Sequence, residues 1–158
     1  MSRLIYLAVP YSDPDPAVRE ERFHVVNEAA AVLMGQGLYV FSPISHTHPI
    51  AAAGALPLGW DFWEGYDREM LSACGALVVL CLDGWNRSTG VTSEIAIAEE
   101  LGLPVFFVVS ISDCASGIVK EWMLRCEADA VAAEALNIKQ RARVLRAIAE
   151  GENNPPGQ

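Results

Sequence analysis

The stretch Ser88-Thr89-Gly90-Val91-Thr92-Ser93-Glu94 concentrates the residue types that do chemistry. Its small polar and glycine residues let a ligand approach the backbone. The free N–H groups of a helix start can hold an anion. Glu94 is placed by this pattern in the first turn, where the helix dipole favours an ionised carboxylate. An ionised carboxylate beside a ligand crevice can act as a nucleophile. A capping box would use the same residues for helix stability alone.

Other candidates surround it. Asp67 lies in WEGYDREML, on a helix face shared with Glu64, Arg68 and Glu69. It is either a second site carboxylate or part of a solvated face. Asp83 ends an apolar run before Gly84 and is either a site group or a turn residue. Tyr6 alternates with apolar residues in LIYLAV, so it packs in the core or orients a carboxylate. Tyr11 and Ser12 fall in the next loop, where a ligand could touch both. His46 and His48 form an HxH pair, read as pocket lining or satisfied histidines; no third ligand has spacing that would make a metal site. Trp60 and Trp63 flank the same segment, as core cover or as a surface on which a base stacks.

The elements that must position these residues alternate between strand and helix. Leu4–Val9, Leu38–Phe41, Ala76–Leu82 and Val105–Val109 are short apolar runs, the pattern of buried strands. Between them lie helices over Ala17–Met34, over Asp61–Cys74 with Asp61 as N-cap, and over Val91–Leu101. Residues 42–60 read as a long, lid-like loop with at most one helical turn at the alanines. From Gly117 to about Ala149 the pattern is helical, and the last eight residues, GENNPPGQ, read as a disordered tail.

This alternation implies one α/β domain over residues 1–150, a doubly wound parallel sheet of flavodoxin or Rossmann-like type with C-terminal helices. The anticipated strand order is 2-1-3-4, with room for a short fifth strand. The ligand crevice of such a sheet lies beyond the carboxyl ends of strands 1 and 3. The loops there are Pro10–Pro16 and Asp83–Gly90.

Composition narrows the field further. The chain has 158 residues, 52% hydrophobic and 20% charged, with a net charge of −9. That is enough apolar material for one core without staples. The acidic excess argues against binding a nucleic-acid backbone. No apolar run has the length of a membrane span, and the N-terminus lacks a signal-peptide pattern, so a cytoplasmic protein is expected. Cys74, Cys81, Cys114 and Cys126 have no CxxC spacing and read as reduced thiols. No GxGxxG follows the first strand, and neither a P-loop nor a GxSxG elbow occurs.

Three segments together carry a resemblance. IYLAVPYS resembles the opening of the nucleoside 2-deoxyribosyltransferase superfamily, typically IYLAGP. YDREMLSACGALVVL is similar to its aspartate, helix end and apolar strand. GVTSEIAIAEELGLPVFFV is similar to its GxxxE-[IL]-GxA segment. The likeness covers roughly residues 3–109, and SPISH, the DGW loop and the Trp-rich second helix resemble a bacterial and phage branch. It implies cleavage or transfer of the N-glycosidic bond of a nucleoside or nucleotide, without metal or organic cofactor. Glu94 would be the nucleophile, Asp67 the group that binds substrate and protonates the base, and Tyr6 the residue that orients the glutamate. Val9, Thr92 and Ala96 depart from the common pattern. Ser88 stands where transferases on free nucleosides usually carry aspartate. It resembles the branch that hydrolyses deoxynucleoside 5′-monophosphates, where a serine contacts phosphate.

A competing expectation on the same scaffold is a non-catalytic nucleotide-binding or sensing module, and a third is a purely structural oligomer. The resemblance also implies a homo-oligomer. The candidate interface residues are Ile118, Trp122, Met123, Val131, Leu136, Ile138 and Leu145, an apolar surplus in the C-terminal helices.

Overall fold

The computed structural model describes residues 4–128, together with 138, 139, 142 and 144–146. Four parallel strands form one sheet in the order β2-β1-β3-β4. They are β1 (Leu4–Ala8), β2 (Tyr39–Phe41), β3 (Ala76–Leu80) and β4 (Val105–Val108). Ile5 pairs with Val40 on one side and Ala76 on the other, and Leu77 pairs with Val105. The doubly wound fold and strand order read from the sequence are those of the structure. No fifth strand occurs among the described residues.

Strand alternation assigns the two faces. Ile5, Leu7, Val78, Leu80, Phe106 and Val108 point into one core. It is covered by α1 (Pro16–Gly35) through Val26, Ala29 and Leu33, and by α6 (Ile118–Ala128) through Val119, Trp122 and Met123. The short α5 (Ile111–Ala115), absent from the sequence reading, adds Cys114. Tyr6, Ala8, Leu77, Val79 and Phe107 point the other way. There they meet Leu71 of α3 (Trp60–Ser72) and Val91, Ile95 and Ala98 of α4 (Thr89–Glu100). Trp122 and Met123 are therefore core residues rather than surplus apolar surface. Ile138 and Leu145 are exposed, while Val131, Leu136 and the tail 151–158 lie outside the described residues.

Local signals explain the helix starts. Asp15 caps α1, its carboxylate accepting from Ala17 N–H at 2.8 Å, and Pro16 takes the first helical position. Ser42 caps a helix where a loop was expected: α2 runs over Pro43–Gly54. Pro43, Thr47 and Ala51 recur at four-residue spacing and are buried, which is the face that holds α2 against α1 and β1. Pro49 sits inside this helix and the histidines break its apolar pattern, so the helix was hidden in the sequence. Asp61 is not the cap of α3; Gly59 holds that position without a side-chain bond, and Asp61 lies in the first turn. Among the described residues no helix is long and apolar enough to cross a membrane.

Candidate active site

The chain reverses its winding between β1 and β3, and a cavity of about 470 Å³ opens beyond their carboxyl ends. Four segments form its wall. Val9, Tyr11 and Ser12 follow β1. Ile44, Thr47, His48 and Ala51 lie on one face of α2. Trp60, Trp63 and Asp67 share one face of α3. Arg87 to Val91, with Glu94, bring in the start of α4. The spacings of three, four and seven residues are those of a single helix face.

At the cavity's inner end the Tyr6 hydroxyl donates to Glu94 Oε1 at 2.7 Å. Tyr6 points to the face covered by α3 and α4, and it is fully buried. Glu94 is 5% exposed and Asp67 7%. Asp67 Oδ1 is buried without a hydrogen-bond partner. A buried carboxyl oxygen left unpaired is costly, so it marks a place where a ligand can supply the partner.

Burial dominates the electrostatics of both acids. It pushes Glu94 up to about 8; the Tyr6 bond opposes this and the nearby charge of Asp67 adds to it. Burial likewise raises Asp67 to about 6, partly offset by the neighbouring Tyr6 hydroxyl. Tyr6 itself is raised well above its usual value, by burial and by both carboxyls, so it remains a proton donor. The acids interact, and their two titration steps belong to the pair. On protein groups alone, the pair holds one proton near neutral pH.

Two expectations about Glu94 are corrected here. It lies in the second turn of α4, beyond reach of the helix-start N–H groups, and burial opposes the ionised form that the dipole was expected to favour. The capping box is absent too. Ser88 is the N-cap, its Oγ accepting from Val91 N–H at 3.4 Å, and Glu94 bonds Tyr6 instead. Asp67 is likewise no solvated-face residue: its neighbours Glu64 and Glu69 are exposed, but it turns inward.

Of the anticipated binding residues, Tyr11, Ser12, Ser88 and Gly90 line the cavity. A Cβ on Gly90 would sit 3.7 Å from the Trp60 ring, so the helix start and the indole face each other closely. Asp83 does not reach the cavity. Its side chain is exposed, and its carbonyl accepts from Arg22 Nη2 at 3.3 Å. Gly84 then adopts a left-handed conformation, φ 79°, which turns the chain into the single 3-10 turn Trp85–Arg87.

His46 is exposed outside the cavity, its ring parallel to Tyr66. In an extended segment His46 and His48 would share a face; in helix α2 they diverge, and His48 is the one that lines the site. His48 Nδ1 lies 2.7 Å from the Tyr11 hydroxyl and Nε2 lies 3.1 Å from Glu20 Oε2. Its ring stacks on Phe23, centroids 4.3 Å apart.

The sequence reading also missed Arg87, a cation on the wall, and Thr47 and Ala51, which follow only once α2 is known to be a helix. Among the described residues no group of three His, Cys, Asp or Glu is arranged to hold a metal ion. The four cysteines are free thiols; burial pushes Cys74 and Cys81 up to about 12.

No curated protein matches the chain. A family model covers residues 3–110, a span that contains Tyr6, His48, Asp67, Glu94 and the whole cavity wall. The chain belongs to the family described as a domain of unknown function, DUF1937.

Proposed function

We propose that the protein cleaves or transfers the N-glycosidic bond of a nucleoside, deoxynucleoside or nucleoside 5′-monophosphate through a glutamyl-glycosyl intermediate. The observation that carries this reading is the Tyr6–Glu94 bond with Asp67 Oδ1 unpaired beside it. Two carboxyls sharing one proton meet the need of a retaining glycosidase for one nucleophile and one acid.

In this reading the ionised Glu94 attacks C1′ and forms an ester with the sugar. The bond from C1′ to the base nitrogen breaks, and its electron pair goes to the base. Asp67 gives its proton to the departing base. Water or a second base then attacks C1′, Glu94 leaves as carboxylate, and Asp67 takes the proton of the attacking group.

Burial favours keeping a proton on the pair, and the reaction needs it on Asp67. A base nitrogen that accepts from Asp67 supplies the partner that the protein withholds and so favours the proton there. The charge then falls on Glu94, where the Tyr6 donor stabilises it.

The wall suits the substrate. Trp60 and Trp63 precede Asp67 on the same face of α3, so a planar base lying along that face reaches the acid. Arg87 and the capped start of α4 offer a cation and backbone N–H groups to a 5′-phosphate. The deciding experiment is chromatography of released base from nucleosides and 5′-monophosphates. Release by the wild type and none by Glu94→Gln supports the reading; release that survives the substitution ends it.

A further inference from the structure

Aromatic residues and cysteines aside, four polar side chains are buried among the described residues: Ser42, Thr47, Asp67 and Glu94. The fold uses two of them. Ser42 Oγ accepts from the Ser45 N–H at 3.3 Å at the start of α2, and Glu94 accepts from Tyr6. The other two line the cavity and keep an unpaired group, Asp67 its Oδ1 and Thr47 its hydroxyl. A helical threonine commonly bonds its own backbone. Thr92 does so, donating to the Ser88 carbonyl one turn back at 2.8 Å. Thr47 makes no such bond to Pro43, and among the described residues no other group pairs with its hydroxyl. The residue is only 8% exposed. A buried hydroxyl without a partner is destabilising, and a ligand in the cavity can complete it.

We infer that Thr47 is a specificity-determining residue that hydrogen-bonds a ring hydroxyl of the substrate's sugar, at the 2′ or the 3′ carbon. The inference rests on the glycosidic reading and extends it to another wall of the cavity. α2 packs on α1 and β1, whereas α3 packs on α4, so Thr47 and Asp67 reach the cavity from different sides. A base lying along α3 beside Asp67 leaves its sugar to meet α2. The 5′ group is drawn to Arg87 and the start of α4, which leaves the ring hydroxyls for Thr47. One turn to either side of Thr47, Ile44 and Ala51 are apolar cavity wall. A charged group set between them loses water without gaining a counter-charge from that helix face; a neutral alcohol needs none. Threonine and alcohol can each donate and accept, so the bond forms whichever way the proton points.

Calorimetric binding to Glu94→Gln protein, which holds substrate without turnover, tests this. The probes are nucleosides and 5′-monophosphates of the four common bases, each as the ribo, 2′-deoxy and 3′-deoxy compound. With Thr47 in place, loss of the hydroxyl that meets it weakens binding roughly tenfold, the worth of one good hydrogen bond. Adding Thr47→Val, which keeps the shape, weakens the parent by the same factor and leaves the matching deoxy compound unchanged, so the cycle couples. Thr47→Ser, which keeps the hydroxyl, retains the discrimination. Without ligand, Thr47→Val melts no lower than wild type, since the two residues have similar helix propensity and the hydroxyl has no partner to lose. Thr47→Ala supplies the same comparison of sugars if Thr47→Val fails to fold. Equal weakening of all three sugars by Thr47→Val, or no weakening of any, overturns the role of Thr47; base release by the wild type then leaves the glycosidic reading intact. A lower melting temperature for Thr47→Val without ligand also overturns it, because the hydroxyl then serves the fold. Absence of nucleoside and nucleotide binding, with no base release by the wild type, overturns both.

Discussion

Arg22 Nη2 donates to the backbone carbonyl of Asp83 at 3.3 Å, while its Nη1 donates to the carbonyls of Tyr11 and Ser12. One guanidinium thus ties the loop after β1 to the loop after β3. Those are the two sides of the switch-point crevice. Asp13 lies 3.8 Å from the same Nη1 and balances its charge.

Removing this tie should loosen both loops at once. Arg22→Ala is expected to speed amide exchange in residues 10–16 and 83–88 together and to cost about 1–3 kcal/mol of stability. Hydrogen–deuterium exchange by mass spectrometry checks it. Faster exchange in only one of the loops would show that the tie does not couple them.

Glu94→Gln should abolish base release and stabilise the fold at alkaline pH. Glu94 has its pKa raised from 4.5 to about 8 on folding, so the folded state binds more protons between those values. Its contribution to stability is therefore greatest below about pH 4.5 and is lost as pH rises through 8. Glutamine has no such loss. The variant should melt on the order of 5 °C above wild type at pH 8.5 and near wild type at pH 5, by calorimetry. A constant difference at both pH values would contradict the burial argument.

The pair should give a bell-shaped profile of kcat/KM. Below about pH 6 both carboxyls are protonated and the nucleophile is lost; above about pH 8 both are ionised and the acid is lost. Asp67→Asn should lower the rate about 100-fold or more and remove the alkaline limb. A variant that keeps both limbs would assign the acid to another group.

Ser88→Ala tests the phosphate side. Ser88 caps α4 and lines the cavity, so its loss should cost about 1 kcal/mol of stability whatever the substrate. If its helix start holds a 5′-phosphate, monophosphate turnover should fall further than nucleoside turnover. Equal losses in steady-state kinetics would remove the phosphate from this subsite.

Much of this was legible in the sequence, for physical reasons. The four strands are runs of consecutive apolar residues bounded by glycine, proline or polar signals, and both faces of a parallel sheet are buried. That indicated a parallel sheet, and with the anticipated 2-1-3-4 order the switch-point rule placed the crevice. Tyr6 and Glu94 were candidates whose pairing came from the family resemblance; position alone left core packing open for Tyr6 and put Glu94 one turn too early in α4. Side chains whose role depends on rotation about a helix axis were harder to place. His46 and His48 could not be told apart while the segment read as a loop; the helix turns only His48 to the cavity. Asp67 looked like one member of a charged face, since its inward turn depends on the packing of α3 against α4. Asp83 was chosen for its place in chain order, but the tie to Arg22 engages its backbone and leaves the side chain outside.

Because α2 is a packed helix rather than the loop its sequence suggests, the wall that carries Thr47, His48 and Ala51 is rigid before any ligand arrives. The conformational entropy of ordering those residues is lost during folding, not during association. Ligand capture then has no closing step to wait for on that side. Association by a rigid docking surface runs at its encounter rate, and affinity differences among ligands appear in how long each one stays.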